Sequence, residues 1–66
     1  MKNTIRVERA ILDITQQDLA EAVGVSRQTI NSIESGRYVP STVLALKIAR
    51  YFGKPADSIF SLDDGD

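Results

Sequence analysis

Arg27, Gln28, Asn31 and Ser32 lie at the spacing that lines side chains along one face of a single helix. That face is polar and carries no acid. A guanidinium fork presents parallel donors that fit guanine O6 and N7, and a side-chain amide pairs one donor with one acceptor, which fits adenine N6 and N7. A serine hydroxyl serves either way. The chemistry open to such a face is recognition by hydrogen bonding. Bond-making chemistry has no comparable support. The chain has no Cys and no His, so the usual nucleophile–base pairs are missing. No Gly-rich phosphate loop or zinc-ligand spacing occurs, and the acids are scattered. No enzyme activity, metal or cofactor is expected.

A helix must carry this face and others must hold it. Residues 16–23 and 27–35 read as two short helices joined by Gly24-Val25-Ser26. Thr15 caps the earlier one, with Asp18 completing an acidic capping box. Gly24 supplies the positive φ that ends it, and Ser26 caps the next. Leu19, Val23, Ile30 and Ile33 face a common core, Ala20 lies where the helices cross, and Val25 tucks beneath the turn. Gly36 closes the unit. Residues 37–40 form a loop in which Pro40 holds Val39 extended. Ser41 caps a further helix through about Phe52, with Val43, Leu44, Leu46, Ile48, Ala49 and Phe52 as its apolar side. Gly53 stops it, and Pro55 opens a short fifth helix over 56–59. Upstream, residues 5–13 form a first helix with Ile5, Ile11 and Leu12 inward, although Val7 and Glu8 do not fit that phase. Residues 2–4 and 60–62 are candidate short strands.

Taken together, these residues resemble the lambda-repressor-like, Cro-type (XRE-type) helix-turn-helix regulators, and in particular small stand-alone DNA-binding-domain members. The likeness runs through Thr15-Gln16-Gln17-Asp18-Leu19-Ala20, Gly24-Val25-Ser26-Arg27-Gln28-Thr29-Ile30 and Ile33-Glu34-Ser35-Gly36, then Pro40-Ser41 and Leu44-Ala45-Leu46-Lys47-Ile48-Ala49. It covers roughly residues 5–60 and is specific as a set. It implies an all-α, five-helix domain, to which the terminal segments can add a two-stranded sheet. It implies that Arg27, Gln28, Asn31 and Ser32 contact bases from the major groove, and that Gln16, Arg37, Tyr38 and Ser41 contact phosphates. Arg9 and Glu34 match a family ion pair joining the first helix to the recognition helix. Glu8 departs from the pattern, since many relatives carry an apolar residue there. Either it sits at the rim or the first helix packs less deeply.

The whole-chain quantities set the remaining expectations. At 66 residues the chain is one domain, a helix-turn-helix unit within 1–62 followed by an acidic, mobile tail at 63–66. A domain this small buries only about 60% of its unfolded surface. With no disulfide or metal to brace it, self-association is expected. Pro55, Ile59, Phe60 and Leu62, joined by the strand at 2–5, are the expected dimer seam. The formal net charge of −1 conceals segregation. Without Asp63, Asp64 and Asp66 the balance is +2, and from Arg27 to Lys54 five basic residues face one acid, Glu34. Lys47 and Arg50 read as solvated charges. No membrane span or signal-peptide core is visible, which points to the cytoplasm. An internal small-molecule effector site would consume most of the core and is not expected. The leading expectation is a homodimeric transcriptional regulator, most simply a repressor, on palindromic double-stranded DNA. The alternative is an antitoxin or other protein-interaction module using the same fold.

Overall fold

Each of the three helices after the first begins on a hydroxyl cap. In a computed structural model describing residues 1–66, Thr15 Oγ1 accepts the Asp18 N–H at 3.0 Å, and Asp18 Oδ2 accepts the Thr15 N–H at 2.9 Å. This capping box opens α2, Gln16–Val23. Ser26 Oγ accepts the Thr29 N–H and opens α3, Arg27–Glu34. Ser41 Oγ accepts the Leu44 N–H and opens α4, Thr42–Phe52. Gly24 and Gly53 take left-handed conformations, φ 78° and 68°, that end α2 and α4. The first helix, α1, covers Ile5–Leu12 and has no side-chain cap. Its start is held tertiarily, by Thr4 N–H donating to the Ile59 carbonyl at 2.9 Å.

The termini meet in a small antiparallel sheet. Strand β1, Lys2–Asn3, pairs with β2, Phe60–Ser61, in the register Lys2 with Ser61 and Asn3 with Phe60. Asn3 Nδ2 donates to the Ile33 carbonyl at 2.8 Å, which fixes this sheet to the end of α3.

The core lies between the helices. Ile5, Leu19, Ile30, Ile33, Ile48 and Ile59 are almost wholly buried, joined by Ala20, Val23, Leu44, Ala49 and Phe60. Burying an aliphatic side chain of this size contributes about 1.5–3 kcal/mol, so α2 and α3 are clamped together by Leu19, Val23, Ile30 and Ile33. Ala20 has no exposed surface. Val25 packs against the core edge from the turn.

Several expectations need correction. Ile11 and Leu12 point outward, 68% and 49% exposed, and the inner face of α1 consists of Ile5 and Glu8. Glu8 is buried because Lys54 Nζ reaches its carboxylate at 2.8 Å, so a charge sits where an apolar side chain was the simpler occupant. In α4 the inner stripe is Leu44, Ile48 and Ala49, while Val43 and Leu46 face out. Lys47 and Arg50 mark the solvent side of this helix, and Val43 and Leu46, one or two helical turns from them, share that side. The fifth helix is only a 3-10 turn, Ala56–Ser58. Ile59 and Phe60, expected at a dimer seam, are buried within the chain's own core, and only Pro55 and Leu62 of that set are exposed. The tail, expected to be mobile, is folded as a turn. The Met1 ammonium pairs with Asp63 at 2.9 Å and Asp66 at 3.1 Å.

Candidate nucleic-acid interface

The cap on Ser26 and the burial of Ile30 and Ile33 orient α3, which leaves Arg27, Gln28 and Asn31 exposed and Ser32 half-buried. After α3 the chain folds back sharply. Gly36 takes φ 79°, and the N–H groups of Arg37 and Tyr38 both donate to the Ser32 carbonyl, at 3.0 and 3.2 Å. Arg37 Nε donates to Ser35 Oγ at 3.1 Å. The loop is thereby held against the helix. Gln28, Thr29, Ser32, Arg37 and Tyr38 line an open concavity of about 430 Å³. Four of these residues were singled out from the sequence. Thr29 was not. Its hydroxyl lies 2.9 Å from the capping Ser26 hydroxyl, so its position beside the cap was the available signal.

Asn31 belongs to a second group of side chains, a hydrogen-bonded lattice linking α1, α2 and α3. Arg9 grips Glu34 with both prongs, Nε to Oε2 at 2.7 Å and Nη2 to Oε1 at 3.0 Å, and its Nη1 donates to the Ile14 carbonyl. The Glu34 side chain is only 1% exposed. Its hydrogen bond raises the Arg9 guanidinium above its already high ordinary pKa, so Arg9 stays charged. Gln16 Nε2 then donates to Glu34 Oε1 at 3.3 Å and to Asn31 Oδ1 at 3.2 Å. Every buried side-chain polar atom of the chain has a partner.

The acids near this face are largely occupied. Glu34 is held by Arg9, Glu8 by Lys54, and Asp63 and Asp66 by the N-terminus. Arg27, Arg37, Lys47 and Arg50 make no ion pair, and of the unpaired acids Glu21 lines a hollow with Lys47 and Arg50. At the start of α2 the N–H groups of Gln16 and Gln17 meet no protein acceptor. A helix start of this kind attracts anions. Ser41, at the far end of the loop, uses its oxygen to cap α4 and keeps its O–H as a donor. No helix is long and apolar enough to cross a membrane.

Two short helices clamped at an alanine, with the second presenting an acid-free polar face, define a helix-turn-helix domain. The helix-turn-helix family profile matches residues 5–59, and the chain belongs to the XRE-type helix-turn-helix family. It is 50% identical to the uncharacterized HTH-type transcriptional regulator MJ0272 of Methanocaldococcus jannaschii over 66 residues, all of both chains. It is 51% identical to an uncharacterized HTH-type transcriptional regulator of Methanothermobacter thermautotrophicus, over 97% of this chain and 94% of that one. It is 45% identical to the uncharacterized HTH-type transcriptional regulator YgzD of Bacillus subtilis, over 97% of each.

Proposed function

We propose that this protein is a sequence-specific double-stranded DNA-binding regulator that acts as a homodimeric repressor at a palindromic operator. The observation that carries the reading is the acid-free face of Arg27, Gln28, Asn31 and Ser32 beside the loop residue Arg37, on a helix held from behind by the core. Helix α3 enters the major groove. Arg27 and Gln28 read base edges, with Asn31 and Ser32 following. Arg37, Tyr38, Ser41 and the start of α2 at Gln16 meet phosphates and fix the register.

Eight residues of helix extend about 12 Å, enough to read only a few base pairs. A two-fold dimer doubles the site by placing two such helices about 34 Å apart on one face of the duplex. The seam uses Pro55 and Leu62 together with Val39, Val43 and Leu46, which are 58%, 64% and 55% exposed. Adjoining surface hollows share Leu46, Ala56 and Phe60, so these residues lie on one connected face, bordered by Lys47, Arg50, Lys54 and Asp57. Bound across a promoter, the dimer excludes polymerase. Control comes through its concentration or its dimerisation, with no small-molecule effector.

Selection of bound duplexes from a random library near physiological salt tests this. Enrichment of a palindrome with half-sites about one helical turn apart is the expected result. Weak binding that only falls with salt, with no enriched sequence, would overturn it.

A second reading, a protein-interaction module such as an antitoxin, is favoured by one feature. Val7 and Ile11 on α1, 57% and 68% exposed, lie one helical turn apart and pack on nothing. Val7→Lys with Ile11→Lys should leave duplex binding unchanged under the leading reading.

A further inference from the structure

We propose that Gln16 is a positioning residue that turns the Asn31 carbonyl toward α2 and its Nδ2 toward the duplex, so that Asn31 favours a base with an exocyclic keto oxygen, guanine or thymine, over adenine or cytosine. The inference rests on the proposed reading of DNA by α3 and specifies what one of its residues reads.

The argument starts at Glu34. Its carboxylate is buried and accepts both prongs of Arg9, so it is ionised and only accepts. Whatever faces it from Gln16 must donate, which fixes the Gln16 amide with Nε2 inward, 3.3 Å from Oε1. An amide nitrogen carries two hydrogens. The second points to Asn31, and only an acceptor can receive it, which fixes Asn31 with Oδ1 toward Gln16 at 3.2 Å. Asn31 Nδ2 makes no hydrogen bond within the protein, and the residue is exposed. A free asparagine offers a base edge one donor and one acceptor, the pattern that fits adenine. Here one lone pair of Oδ1 is taken and the carbonyl is turned toward α2, so the Nδ2 N–H groups are what the residue leaves for a base. In the major groove guanine presents the acceptors O6 and N7 and thymine presents O4, whereas cytosine presents only an amino donor and adenine sets an amino donor beside its one acceptor, N7, so an outward Nδ2 finds an unopposed acceptor only on guanine or thymine.

The same bonds redefine Gln16. Both of its side-chain hydrogens are directed inward, so the amide has no donor left for a phosphate. The phosphate contact at this position falls to the free backbone N–H groups of Gln16 and Gln17.

The experiment compares duplexes selected from a random library by the wild type, Asn31→Ala and Gln16→Ala. Asn31→Ala identifies the base pair that Asn31 reads, because selection fades there and nowhere else. At that position the wild type should enrich keto over amino bases about tenfold, the scale of one well-placed side-chain pair. Gln16→Ala should release the Asn31 amide and bring that ratio close to one, leaving the rest of the motif and overall affinity within about threefold. Amide NMR of the free protein gives a reading independent of DNA. The Gln16 side-chain NH₂ should exchange with solvent more slowly than that of Asn31. Wild-type selection of adenine at the Asn31 position overturns the inference, as does a keto preference that survives Gln16→Ala, or no base position that depends on Asn31. A wild type that enriches no sequence at all removes the DNA-reading proposal itself, and this inference with it.

Discussion

At the scale of the residue, the acid that matters most is one that never faces the duplex. Glu34 is buried, and Arg9 is the main reason it can be charged there. Breaking a buried pair by deleting one partner typically costs about 3–5 kcal/mol. Gln16 and the more distant Arg6, 3.7 Å away, still face Glu34, so Arg9→Ala should destabilise the fold by about 3 kcal/mol in urea titrations. A loss under about 0.5 kcal/mol, the size of a surface pair, would contradict that placement. The clasp at the termini is of a different kind, since it is solvent-exposed. The hydrogen bonds that the Met1 ammonium donates to Asp63 and Asp66 raise the amine above its ordinary 8.0. The backbone hydrogen bond from Asp63, helped by the Met1 ammonium, lowers the Asp66 carboxyl below its ordinary 3.8. The amine contributes below pH 8.0 and is lost as pH rises through its higher folded value. The carboxylate contributes above pH 3.8 and is lost as pH falls through its lower folded value. Amide exchange at residues 63–66 should therefore show the turn closed at neutral pH and opening beyond either limit. Equal exchange across that range would contradict it. The exposed polar face of α3 was legible in the sequence because polar side chains at helical spacing are local information. Glu8 was not, because the lysine that permits its burial lies 46 positions away.

Among the elements, local chemistry again divides what could be read from what could not. The start and end of α2 and the starts of α3 and α4 follow from Thr15, Gly24, Ser26 and Ser41, each acting within a few residues of itself. Ser26→Ala removes the cap that fixes the start of the reading helix and should cost about 1 kcal/mol in thermal or urea unfolding. No neighbour lies within 4 Å of a Cβ added at Gly24, but its φ is 78°. Gly24→Ala should therefore also cost about 1 kcal/mol, from backbone conformation alone, with duplex selection unchanged. Altered base selection in Gly24→Ala would mean that the turn steers α3 more than its packing does. The outward placing of Val43 and Leu46 on α4 was not legible from their own apolar character; only Lys47 and Arg50 beside them mark that side as solvent-facing. Nor was the reduction of the fifth helix to one 3-10 turn. Its residues are held by the core through Ile59 and by the β1–β2 pairing, neither of which is a local signal.

For the whole molecule, the net charge of −1 is a poor guide. Four of the nine acids are tied up in the Arg9, Lys54 and N-terminal pairs, the other five lie outside residues 27–54, and Arg27, Arg37, Lys47 and Arg50 make no ion pair. Association belongs to this scale too. Leu46→Glu places a charge in the proposed seam without touching the core, since Leu46 is 55% exposed. It should convert a dimer to monomer in sedimentation at about ten micromolar while leaving the unfolding midpoint of the monomer nearly unchanged. A variant that still sediments as a dimer would move the seam elsewhere. The central claim is that α3 reads base sequence. It is tested most directly by competing the selected duplex against a scrambled one, for the wild type, Arg27→Ala and Gln28→Ala. The wild type should prefer its site by about a thousandfold or more. Each alanine variant should lose about tenfold to a hundredfold of that preference while still binding scrambled DNA. A preference that survives both substitutions, or that the wild type never has, would contradict the account.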